Sequence, residues 1–233
     1  MAPIPGNQRR RETVLVAAFA GALAVAAIPA AAADAPDGAE NHGAENLCAR
    51  SITASEPTKG IPRDLLTAIS LAESGRWDPR KRAIVAWPWT INAGGQGRVF
   101  ASKEAAIAAV KKLRARGVTS VDVGCMQVNL HFHPDAFEDL EAAFEPARNV
   151  AYATRFLESL RNEKRSLSQA VAFYHSSARK YNRPYRKKVF ELWSQVHRLA
   201  AEQRRQALIR AYHERRAQRE ARRRAREGGE HPS

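Results

Sequence analysis

Apolar residues recur at intervals of three and four along most of the chain from Ile61 onward. That spacing puts them on one side of a helix and commits the chain to helices packed on one another. Leu65, Leu66, Ile69 and Ala72 form the first stripe; Pro62 suits its first turn and Gly75 its end. Ser102 opens a second helix carrying Ile107, Val110 and Leu113 before Gly117. A third is expected from Asp135, where Asp135 and Glu138 have capping-box spacing and Phe137, Leu140 and Phe144 follow on one face. Pro146 opens a fourth with Val150, Ala153, Leu157 and Leu160. Ser166 and Gln169 cap a short fifth bearing Leu167, Val171 and Tyr174. A last helix is expected near Pro184, with Tyr185, Val189, Leu192, Val196 and Leu199 in its stripe. Only residues 86–100 break the pattern. Trp87, Trp89 and Ile91 alternate, a Gly-rich turn follows, and Val99 and Phe100 return, which predicts a β-hairpin. The expected fold class is mainly α with a small β-hairpin insertion.

The two ends read differently. Arg9, Arg10 and Arg11 precede the apolar run 13–30 and a small-residue site, so residues 1–33 read as a signal peptide cleaved after Ala33. The alternative is an uncleaved membrane anchor. Residues 34–46 are polar and Gly-containing and read as a linker, and 47–199 as the folded domain. Residues 200–233 are Arg-rich and contribute to a formal net charge of +14; they read as a basic helix that frays into a tail. Export and an even cysteine count favour a disulfide between Cys48 and Cys125 over two buried thiols.

One residue of the first stripe does not belong there by polarity. Glu73 lies four residues after Ile69 and seven after Leu66, on the core-facing side of the last turn. Partial burial and the negative helix end both disfavour a carboxylate and raise its pKa. A carboxyl kept protonated near neutral pH is a general acid, although a lone glutamate at a helix boundary more often reaches out to water.

Two further segments give Glu73 company: "GCMQ" at Gly124–Gln127, and "FYH" at Phe173–His175. With "ESG" at Glu73–Gly75, in this order, they resemble the E-S, G-L-M-Q and A-Y-N motifs of Slt-type (family 1) lytic transglycosylases. The resemblance covers roughly residues 47–195. It implies a goose-type lysozyme-like fold and an exported enzyme of a Gram-negative branch, acting on peptidoglycan in the periplasm. Cys125 stands where the family has Leu, which fits the disulfide, and His175 where Asn is common. The gap between the first two motifs is longer than usual, leaving the hairpin to add a wall to the groove.

The resemblance also implies a reaction. Glu73 protonates the oxygen between N-acetylmuramic acid and N-acetylglucosamine. As a carboxylate it then takes the proton from the C6 hydroxyl, which closes a 1,6-anhydro ring without water. Ser74, a substrate-binding candidate, would orient or hydrogen-bond near Glu73; Gln127 and the backbone around Met126 would bind an N-acetyl group; Tyr174 would donate to Glu73 or to substrate. Asn129 and His175 are further substrate-binding candidates. Trp87 and Trp89 fit sugar stacking and a packed hairpin equally. Asp122 is the nearby carboxylate that would activate water in a rival hydrolytic muramidase. A noncatalytic peptidoglycan-binding protein is the rival from another class.

No cofactor or metal is called for. His131 and His133 alternate without a completing acidic or cysteine cluster and read as a surface loop. The basic tail has few aromatics and no nucleic-acid motif, so attraction to anionic wall or membrane surfaces is expected rather than nucleic-acid binding. A monomer is expected, working on glycan strands alone or within an envelope-spanning machine such as a flagellum or secretion system.

Overall fold

The structure, a computed structural model, describes residues 43–56 and 60–228, with side chains described through 224. The expected signal peptide, its cleavage site and most of the linker lie outside the described residues. Among the described residues, seven helices and six short strands follow one another. The helices are α1 (Ala44–Ser55), α2 (Leu65–Ser74), α3 (Lys103–Ala115), α4 (Leu140–Ala143), α5 (Pro146–Lys164), α6 (Leu167–His175) and α7 (Arg179–Gly228). The strands are β1 (Gly75–Asp78), β2 (Ala83–Ala86), β3 (Thr90–Ala93), β4 (Gln96–Val99), β5 (Asp122–Val123) and β6 (Val128–Asn129). The fold is mainly α with two small antiparallel sheets, β1-β2 and β4-β3-β5-β6.

Two apolar clusters form the core. The larger gathers Ile52 of α1, Leu65, Leu66 and Ile69 of α2, Val150 and Leu157 of α5, Val171 of α6 and Val189 of α7. The smaller joins Ile91 of β3, Ile107 and Val110 of α3, and Val121, Val123 and Phe144. Phe137 packs against both. The expected stripes of α2, α3, α5 and α6 are thus the buried faces, and Ser102 and Ser166 cap α3 and α6 through their hydroxyls.

Four features differ from expectation. Pro62 precedes α2 rather than entering it, and Asp64, in a left-handed conformation, takes the N-cap position. The third helix shrinks to α4, because Asp139 rather than Asp135 caps it by accepting from Ala142 N–H at 2.7 Å. α7 begins at Arg179, where Tyr181 and Asn182 N–H both bond to Ala178 C=O and form a first turn before Pro184. Along it Leu199, expected in the core stripe, is 66% exposed, and the helix runs on through the basic segment to Gly228. Finally, α1 starts at Ala44, inside the expected linker.

Cys48 and Cys125 are joined by a disulfide spanning 77 residues. It ties α1 to the turn between β5 and β6, and both cysteines are fully buried. Replacing both by serine is expected to cost about 2–4 kcal/mol by releasing so long a loop in the unfolded chain, measured by urea denaturation. An unchanged midpoint would mean the turn is held by its other contacts alone.

Candidate active site

Glu73, in the last turn of α2, lies at the wall of a cleft of about 720 Å³. The chain leaves the helix at once through Gly75. A Cβ there would lie 2.2 Å from the Leu71 carbonyl oxygen and 2.9 Å from Ile84, so only glycine lets α2 run directly into β1. Ser74, the residue between, is buried. Its hydroxyl donates to Cys125 C=O at 2.7 Å and lies 3.2 Å from Ser70 C=O. Ser74 therefore pins the Glu73 turn to the second motif and does not line the cleft, a correction to its expected binding role.

The second motif is a tight turn built around one side chain. Gly124 has φ 83°, and a Cβ on it would fall 2.4 Å from the amide nitrogen of Asn149. Asn149, fully buried on α5, accepts from Met126 N–H at 2.9 Å and donates to Val123 and Ala143 C=O, both at 3.0 Å. Met126 itself is buried in the core, and its C=O accepts from the Tyr174 hydroxyl at 2.9 Å. Its N–H is thus unavailable to a sugar and its side chain does not reach the cleft, so the expected binding role of Met126 is replaced by a structural one. Gln127 does line the cleft, with φ 48°. Its amide NH2 donates to Thr90 and Gly124 C=O, both at 3.0 Å, which orients the side chain and leaves its carbonyl oxygen as the acceptor on offer.

Asn129 lies in the cleft wall with a full set of partners. Its NH2 donates to Asp122 at 2.7 Å and to Ser120, and its oxygen accepts from His131 and Phe132 N–H. Asn92 of β3 donates to the other Asp122 oxygen at 2.9 Å. Two asparagines thus fix Asp122 as a charged wall of the same cleft. His131 and Phe132 remain at the surface, but His133 is half-buried, its Nδ1 hydrogen-bonded to the Tyr152 hydroxyl at 2.9 Å, and lines the cleft. Burial lowers its pKa.

From the other side come α6 and α7. Tyr174 donates to Met126 C=O rather than to Glu73. His175, at the end of α6, lines the cleft and stacks flat on Tyr185 with ring centroids 4.5 Å apart. Tyr185 was legible only as a core position of α7. Its hydroxyl is buried and directed at the Glu73 carboxyl without closing a well-aligned hydrogen bond. Lys188, one turn on, donates to Ala72 C=O at 2.7 Å, beside Glu73. Further along, Trp193 donates to Arg63 C=O and His197 contacts Asp64 at 2.7 Å. α7 therefore grips α2 at both ends.

Trp87 is buried, donates its indole N–H to Phe100 C=O, and meets Trp89 edge-on. The tryptophans build the hairpin's packing and do not line the cleft. The hairpin instead contributes Thr90, Asn92, Gly95 and Gly97 to the cleft wall.

The electrostatics converge on Glu73. Burial raises its pKa to about 7, with the Asp122 charge adding to the rise and Tyr185 and Lys188 opposing it. A group that is protonated below neutrality and ionised above it can give and take one proton at the same atom. Lys188→Met is expected to move Glu73 upward and Asp122→Asn to move it downward, read by carboxyl-carbon NMR across pH 5–9. Shifts of the same sign in both variants would show that charge does not tune this site.

Comparison with protein-family models, with curated proteins and with solved structures finds no match to this chain.

Proposed function

We propose that this protein is a peptidoglycan lytic transglycosylase with a lysozyme-like fold, exported to the periplasm. The observation that carries the reading is Glu73: a carboxyl whose pKa is raised to about 7, lining the cleft at the end of a helix fixed by the Ser74–Cys125 contact. Below that pKa it donates a proton to the glycosidic oxygen between N-acetylmuramic acid and N-acetylglucosamine. The resulting carboxylate accepts the C6 hydroxyl proton as O6 attacks the anomeric carbon, giving the 1,6-anhydro sugar. The substrate's own N-acetyl oxygen stabilises the positive charge that develops. Gln127 presents its carbonyl oxygen to the N–H of that acetamido group, and His175 lies along the same wall. Tyr185 and Lys188 favour the carboxylate half of the cycle, burial and Asp122 the acid half. The disulfide supports export to an oxidising compartment. A role on glycan strands alone or within an envelope-spanning machine is compatible with this chemistry.

A hydrolytic muramidase is the second reading, favoured by Asp122, which Asn92 and Asn129 hold in the same cleft. There Asp122 activates a water on the face opposite Glu73. Digestion of purified sacculi by wild type and Asp122→Asn separates the two. The transglycosylase reading expects anhydro products from both proteins. Reducing-end products that vanish in Asp122→Asn would establish the hydrolase instead.

A further inference from the structure

The cleft engages only the first part of α7. Arg204 is the last residue of α7 with an ion pair to another element, to Asp64 at 3.7 Å; from Arg205 to Arg224 every side chain except Ala211 is exposed. Over residues 200–228 arginine outnumbers glutamate by more than two to one. Its side chains are not spread evenly. Leu208, Tyr212, Arg215, Arg219 and Arg222 follow at four, three, four and three residues and share one face. The opposite side carries Gln206, His213 and Ala217, with Arg210 and Arg224 as its arginines, so most arginines of the segment lie on or beside the stripe. Beside the stripe's proximal end lies Ile209; Leu208, Ile209 and Tyr212 are 68%, 45% and 58% exposed. The nearby acids do not cancel the charge. Glu202 and Glu220 pair with Arg205 and Arg216 in exposed contacts of the kind that contribute little.

We propose that this face of α7 docks on an anionic phospholipid surface. The arginines complement lipid phosphates on a face about 20 Å long from Leu208 to Arg222. Leu208 and Ile209 supply aliphatic surface that a phosphate backbone would leave in water but that the headgroup–acyl boundary takes up. Tyr212 has the amphipathic ring favoured at that depth. A second copy of the chain does not fit the same face, because Arg215, Arg219 and Arg222 would meet their own kind across it. Since α7 is continuous, docking also fixes how the Glu73 cleft is held above the surface.

The test is co-sedimentation of the full chain with phosphatidylcholine vesicles, with and without phosphatidylglycerol as a minor component. The apolar run near the N-terminus is common to all variants and cancels in the comparison. Replacing Arg215, Arg219 and Arg222 together by glutamine, a comparable helix former, is expected to weaken binding to the anionic vesicles on the order of a hundredfold. Leu208→Ser with Tyr212→Ser is expected to weaken it about tenfold. Both variants are expected to bind neutral vesicles as wild type does. The proposal fails if the arginine variant binds anionic vesicles as wild type does. It also fails if the Leu208/Tyr212 variant retains full vesicle binding while a short duplex DNA competes with it, which would mark the face as a nucleic-acid site.

Discussion

Glu73→Gln is expected to lower wall cleavage by about 10³-fold and, at pH 8, to stabilise the protein. The two effects have one cause. Burial raises the folded-state pKa of Glu73 from its ordinary value of 4.5 to about 7, so the fold favours the protonated form. The stability this contributes is fully present below pH 4.5 and is lost as pH rises through about 7. Above that, wild type carries a charge in a site that resists it, and glutamine does not. The gain in stability of Glu73→Gln is therefore absent near pH 4, grows between pH 4.5 and 7, and reaches at most about 3 kcal/mol at pH 8. Urea denaturation at pH 4 and pH 8 measures it. In the wild type, kcat/KM is expected to fall above pH 7 as the acid is lost. A variant that is inactive but less stable at both pH values would mean Glu73 is a structural carboxylate.

The second large effect concerns a residue that touches no substrate. Asn149→Ala removes an acceptor from Met126 N–H and donors from Val123 and Ala143 C=O, all three buried. Leaving such groups without partners costs about 1–3 kcal/mol each. A loss of about 4 kcal/mol or more follows, with a fall in Tm of about 10–15 °C. Cleavage should fall as well, because the turn that orients Gln127 is built on the same side chain. Asn149→Asp keeps the acceptor but sets an oxygen against two carbonyls, and is expected to be no better. Thermal denaturation of both variants tests the assignment; a Tm within a few degrees of wild type would show that the turn stands without Asn149.

Much of this was legible in periodicity, because α2, α3, α5 and α6 are amphipathic helices with hydroxyl or glycine punctuation at their ends. Glu73 stood out because its spacing from Ile69 and Leu66 put a carboxyl on an apolar face. The direction of its pKa shift follows from that placement alone. Its tuning does not, since Asp122 and Lys188 are remote in sequence and meet it only through the fold. Tyr185 was hidden by being a sound member of an apolar stripe; the phenol of a buried tyrosine needs a partner, and that requirement was the available signal. Asn149 left a similar trace, four residues before Ala153 on the buried face of α5. Strands β1 and β2 left almost none. They are four residues each, half of them exposed, and joined by a charged turn; β2 is apolar throughout but too short to show alternation, and β1 is mixed. Ser74 and Met126 show the opposite error: motif residues expected to touch substrate that instead hold the motifs to each other.

The most direct measurement is mass analysis of the products released from purified peptidoglycan by wild type and by Glu73→Gln. A single acid and base at Glu73 requires muropeptides ending in 1,6-anhydro-N-acetylmuramic acid, each lighter by one water than its hydrolysed counterpart, and their disappearance in the variant. Products with free reducing ends from the wild type, or anhydro products that persist in Glu73→Gln, would contradict the account.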